Sequence, residues 1–135
     1  MNKSGKVSLP LFLGDENEKN ITCYIGNYFS YPCISTAENE DERKTLLSMA
    51  ADEGRHAAIL KEYTGAPLKP NPTLAKAAAA MFKIGGKRLL FPFMAEFEIN
   101  SFFSYKKYFV KYPEITKIAS DEIRHGHLLS GMLNK

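Results

Sequence analysis

The pentapeptide Asp-Glu-x-Arg-His occurs at residues 52–56 and again at residues 121–125. Two of the three histidines of this 135-residue chain, His56 and His125, belong to it. Within each copy Glu and His stand three residues apart, which on an α-helix places them on neighbouring turns of one face. Around the second copy Ile115, Ile118, Glu122, His125, Leu129 and Met132 recur at steps of three and four, the pattern of one helical stripe. Around the first, Leu46, Ala50, Glu53, Ala57 and Leu60 form the stripe, with His56 at its edge. The repeat therefore demands two helices, each carrying a carboxylate and an imidazole on or beside its apolar face. Burying such groups without partners costs several kcal/mol, so they require a metal ion or a dense polar network.

Chance supplies about a quarter of one Glu-x-x-His match in a chain of this composition. Two copies, with Asp and Arg also shared, exceed it. Two Glu-x-x-His pairs facing each other in a helical bundle, with one further Glu from each remaining helix, make up a di-iron or di-manganese carboxylate site. Carboxylates suit hard cations and imidazole suits iron. On a helix expected over 15–31, Glu18 shares a face with Ile21, Ile25 and Tyr28, with Glu16 as the alternative. On a helix expected from about 73 to 111, Glu98 aligns with Phe91, Met94, Ser101 and Tyr105. Glu96 points about 160° away. The candidate metal ligands are Glu18, Glu53, His56, Glu98, Glu122 and His125.

Helical spacing dominates the rest of the chain, and strand alternation is nearly absent. The helix bearing the first copy is expected to start near Glu40 and stop at Gly65. The next is expected to break at Gly85-Gly86 or at Pro92. The expected fold is all-α: one domain over 1–135, a ferritin-like four-helix bundle with a long helical crossover between the second and third helices. A net charge of +3 with scattered lysines gives no reason to expect nucleic acid or membrane partners. Cys23 and Cys33 form no C-x-x-C pair and cannot build a rubredoxin-type iron site. The apolar core of MNKSGKVSLPLFLGDE is too short for a secretory signal, so a reducing, cytoplasmic setting is expected.

Smaller roles can be assigned around the repeat. Metal-bound imidazoles usually donate their outer N–H to a carboxylate or carbonyl. Asp52 or Asp121 can serve a histidine on the facing helix, or each can instead be a solvated partner of a nearby Arg or Lys. Arg55 and Arg124 read as surface ion-pair residues. Tyr24, Tyr28, Tyr105 and Tyr108 fall near the candidate ligands and read mainly as core. His127 faces elsewhere.

At these residues the chain resembles the rubrerythrin branch of the ferritin-like superfamily, over about 16 to 133. The resemblance lies in Asn17-Glu18 followed by Tyr24, in DEGRHAAILKEYTG at 52–65, in Glu98 followed by Tyr105, and in YPEITKIASDEIRH at 112–125. It implies a di-iron centre held by the same six residues, with manganese or a mixed pair as other occupants. Members of that branch usually carry a second glutamate three positions before the one at 98, and here that position is Ala95. No rubredoxin-like domain such as classical members carry is expected within these 135 residues.

The function expected is reduction of peroxide or dioxygen. Glu53 and Glu122 would bridge, Glu18 and Glu98 would be terminal, and electrons would come from a separate donor such as a rubredoxin-type protein. A homodimer is expected. The alternatives are iron oxidation for storage or detoxification, and a non-enzymatic metal-stabilised bundle.

Overall fold

A computed structural model describes residues 37–64 and 72–133 of the chain. The expected helix over 15–31, with Glu16, Glu18, Cys23, Tyr24, Tyr28 and Cys33, lies outside these residues. The described residues are helical, without strands: α1 spans Glu40–Thr64, α2 Pro72–Lys106 and α3 Ile115–Gly131. No helix among them is long and apolar enough to cross a membrane.

α1 begins where its cap allows. The Asn39 side chain accepts a hydrogen bond from the Glu42 N–H at 2.9 Å, satisfying one free donor of the first turn. Glu42 is buried, and its carboxylate accepts from Lys87 Nζ at 3.0 Å. This contact was not anticipated. It fixes the start of the second leg of α2 beside the start of α1. Of the two breaks expected in α2, Gly86 is the one used: it has φ 58° and ψ −154°. A positive φ suits glycine because it has no Cβ to clash with the backbone. Pro92 is exposed and leaves the helix continuous. α2 ends at Lys106, earlier than expected, because residues 107–111 form turns closed by bonds such as Tyr112 N–H to Tyr108 O at 2.9 Å.

The buried side chains fall into three tiers. One apolar tier joins Leu46 and Met49 of α1 to Leu90, Phe91 and Met94 of α2 and Leu129 of α3. The opposite apolar tier joins Leu60, Tyr105, Tyr112, Ile115, Ile118 and Ala119. Between them Glu53, His56, Glu98, Ser101, Glu122 and His125 are all buried. Residue numbers rise across the tiers in α1 and in the second leg of α2, and fall in α3. Hence α1 and that leg run parallel, with α3 antiparallel to both. A parallel pair needs a long return connection, and the leg before Gly86 supplies it, packing Ala78 into the first tier.

α3 packs against both α1 and α2. It lies tight against α2 at Gly126, where an added Cβ would meet Ile99 Cγ1 at 2.6 Å and the Ala95 carbonyl oxygen at 3.0 Å. Gly126→Ala is therefore expected to push the helices apart and lower stability by about 1–3 kcal/mol in thermal melts. Gly54 is exposed, and beyond its own helix backbone no atom of the described residues lies within 4 Å of the same added carbon. Gly54→Ala should stabilise the helix by about 0.5–1 kcal/mol. Equal effects at the two glycines would contradict this account of the α2–α3 contact.

Candidate metal centre

The buried face of α1 runs through Leu46, Met49, Glu53, His56 and Leu60, at steps of three, four, three and four. His56, expected at the edge of its stripe, is 1% exposed and as buried as Glu53. α3 repeats the spacing through Ile118, Glu122, His125 and Leu129, none of them more than 1% exposed. On α2, Glu98 is buried beneath Met94 while Glu96 is exposed, as the stripe required. His127 is exposed. Five of the six candidate ligands therefore meet in one layer, and the sixth, Glu18, lies outside the described residues.

Both imidazoles turn Nδ1 inward. His56 Nδ1 lies 3.4 Å from Glu53 Oε1 and 3.2 Å from Glu122 Oε1. His125 Nδ1 lies 3.3 Å from Glu53 Oε1 and 4.0 Å from Glu98 Oε2. The ring centroids are 6.0 Å apart. Two donor sets result, Glu53–His56–Glu122 and Glu53–Glu98–His125, and within each the donor atoms lie within 4.8 Å of one another. Glu53 belongs to both. Among the described residues, both Glu53 oxygens, Glu122 Oε1 and the two Nδ1 atoms are buried without a hydrogen-bond partner of good geometry. Buried polar atoms are rarely left so, and several converging on one point need something that satisfies them together. Mixed carboxylate and imidazole donors fit divalent transition metals such as iron or manganese.

The outer edges explain the rest of the repeat. His56 Nε2 lies 3.1 Å from Asp121 Oδ2, and His125 Nε2 lies 3.1 Å from Asp52 Oδ2. Each aspartate thus takes the outer nitrogen of the histidine in the other copy, one of the two roles open from sequence. Arg55 pairs with Asp52 at 2.6 Å and with Asp121 at 3.4 Å. Arg124 pairs with Asp121 at 2.8 Å and also with Asp52. Two arginines and two aspartates close a ring of alternating charge across α1 and α3. Sequence anticipated the ion pairs but not that each arginine grips both aspartates. The recurrence of Arg at the same place in both copies was the available signal.

Electrostatics follow from this geometry. Burial would raise Asp52, but hydrogen bonds from His125, Arg124 and Arg55 outweigh it and hold the carboxyl at about 2. Asp121 is likewise lowered: burial opposes, and Arg124 and His56 prevail. With Asp52 and Asp121 held as carboxylates, each Nε2–H has a fixed acceptor. Burial works against charge on His56, yet the Glu122 and Glu53 carboxylates carry it up to about 10. His125 rises for the same reason, through Glu53 and Asp52. Burial drives Glu98 and Glu122 upward, reinforced by the Glu122 charge at Glu98 and the Glu53 charge at Glu122. Protons thus offset the crowding of carboxylates wherever no cation does so.

A cleft of about 550 Å³ between α1 and α3, lined in part by Arg55, Ile59, Ser120 and Asp121, reaches the outer side of His56. It is roomy enough for a small oxidant to approach the layer.

Comparison with protein-family models, with curated proteins and with solved structures gave no match to this chain.

Proposed function

We propose that the chain is a non-haem di-iron carboxylate oxidoreductase that reduces peroxide or dioxygen. One observation supports this above the others: two donor sets share Glu53, with both Nδ1 atoms turned inward and without a hydrogen bond of good geometry among the described residues. In this reading Glu53, Glu98, Glu122, His56 and His125 hold the metal pair. When bound, two ferrous ions supply one electron each to the substrate. Asp52 and Asp121 keep the Nδ1 lone pairs directed inward by accepting the Nε2 protons, and Arg55 and Arg124 keep those aspartates in register. The apolar tiers on either side exclude bulk water. Reducing equivalents come from a separate donor such as a rubredoxin-type protein.

The same reading takes the fold to be a ferritin-like four-helix bundle. α3 contacts α1 and α2, whereas no backbone contact joins α1 to α2 among the described residues. Parallel helices at opposite corners with a common antiparallel neighbour are three corners of such a bundle. The helix expected from the sequence over 15–31 lies outside the described residues, and in this reading it would complete the bundle with Glu18 as the remaining carboxylate.

Buried Ala95 favours a second reading. It packs among Leu90, Phe91 and Met94, where a further carboxylate would otherwise be available. A site without it holds metal but exchanges ligands less readily, which suits a metal-stabilised bundle without turnover. Anaerobic reconstitution with Fe(II), elemental analysis, and separate peroxide and dioxygen pulses followed by absorbance test both readings. About two ions per chain with rapid oxidation is the expected result, since donors from four helices exceed what one ion takes. One ion or fewer overturns the paired site, and a stable pair without turnover selects the second reading.

A further inference from the structure

All four tyrosines among the described residues, Tyr63, Tyr105, Tyr108 and Tyr112, gather in the apolar tier on one side of the candidate metal centre. Tyr105 lies two helical turns from Glu98 on the same face of α2, about 10 Å along the axis. Tyr112 is buried, and its hydroxyl has no hydrogen-bond partner among the described residues. Packing does not account for that hydroxyl, because phenylalanine would fill the space without burying an unpaired polar atom. The Tyr112 ring stands 4.7 Å from that of Tyr63, centroid to centroid. Tyr63 is partly exposed, and its phenol donates a hydrogen bond to the Glu114 carboxylate.

We propose that Tyr105, Tyr112 and Tyr63 form a relay that carries oxidising equivalents from the carboxylate–histidine site to the surface, giving the protein a second activity: peroxide reduction at the expense of small one-electron reductants. The relay rests on the function proposed above. In its outer step the Tyr63 O–H bond breaks. The proton moves to the Glu114 carboxylate, and the electron passes through Tyr112 and Tyr105 to the site, where the peroxide being reduced accepts it. Glu114 gives its proton up to solvent, and a thiol or ascorbate in solution returns one electron with a proton to the Tyr63 phenoxyl. Two such cycles, with two protons taken up from solvent at the site, reduce one peroxide to two waters. Charge placement gives the relay its direction. Lys111 Nζ sits 5.3 Å from the Tyr112 ring centroid and Lys107 Nζ 5.2 Å from that of Tyr108. A cation over a ring favours its electron-rich form and disfavours its oxidised form. Tyr63 instead has a carboxylate ready for its proton, so the oxidised state settles there.

The test uses the iron-loaded full chain, peroxide and a nitroso spin trap, with peptide mapping of the adduct and freeze-quench electron paramagnetic resonance. Peroxide consumption is measured in the same samples. The wild type should carry the adduct at Tyr63. Tyr63→Phe should lose it, and Tyr112→Phe and Glu114→Gln should each lose it from Tyr63, with iron content and melting curve unchanged. Peroxide consumed without a Tyr63 adduct, or with adduct spread evenly over the tyrosines, overturns the relay and leaves the proposed function standing. A Tyr63 adduct undiminished in Tyr112→Phe also overturns the relay. Failure to consume peroxide overturns both.

Discussion

Under the proposed function, replacing Glu53 by alanine is expected to abolish binding of both metal ions, whereas Glu98→Ala should leave about one. The contrast follows from the two donor sets. Glu53 Oε1 lies 3.4 Å from His56 Nδ1 and 3.3 Å from His125 Nδ1, so among the described residues it is the carboxylate oxygen that reaches both imidazoles. Without it each set retains one carboxylate and one imidazole, too few donors to displace the water around a divalent ion. Glu98 belongs only to the set containing His125. Its loss leaves Glu53, His56 and Glu122 together. Glu122, expected from the sequence to bridge as well, stands only in the set containing His56, so Glu122→Ala should strip that set. Elemental analysis after anaerobic loading reads all three variants, and a melting curve on each excludes simple unfolding. Two ions retained by Glu53→Ala would show that the shared carboxylate is misassigned.

Much of this centre was legible in the chain, because helical periodicity converts spacing into facing. Glu122 and His125 stood in the middle of an apolar stripe, and only one face of one helix satisfies that pattern. Glu98 could be chosen over Glu96 for the same reason. What periodicity within one helix cannot supply is the register between helices. The crossing of Asp52 to His125 and Asp121 to His56, and the arginine ring outside it, depend on how α1 slides along α3. His56 looked peripheral from its own helix, and it is α3 that buries it. The choice between Gly86 and Pro92 as the break in α2 was open for a related reason. Either residue can interrupt a helix, and the contact of Lys87 with Glu42 and Glu38 decides where the second leg must begin.

Saturating Fe(II) or Mn(II) is expected to raise the melting temperature by an amount on the order of 10 °C. Among the described residues alone, three carboxylates and two imidazoles share one buried layer, and five of their polar atoms find no partner of good geometry. The folded chain without metal must then hold Glu98 well above the usual carboxylate range and Glu122 above it, because both are buried beside other carboxylates. A cation pair removes the repulsion and satisfies the orphaned donors at once, and it binds the folded chain because only there do the three helices converge. Ligand at about a thousandfold excess over its dissociation constant adds about 4 kcal/mol to the stability of the state it binds. For a domain of this size each kcal/mol moves the midpoint by roughly 2–8 °C. The shift should grow with the logarithm of metal concentration. It should be weaker for Mg(II), which prefers oxygen donors and gains little from His56 and His125. It should nearly vanish in Glu53→Ala. A melting curve that stays put at saturating transition metal, or one that responds equally to Mg(II), would mean that the buried layer is held together by its protons and ion pairs alone.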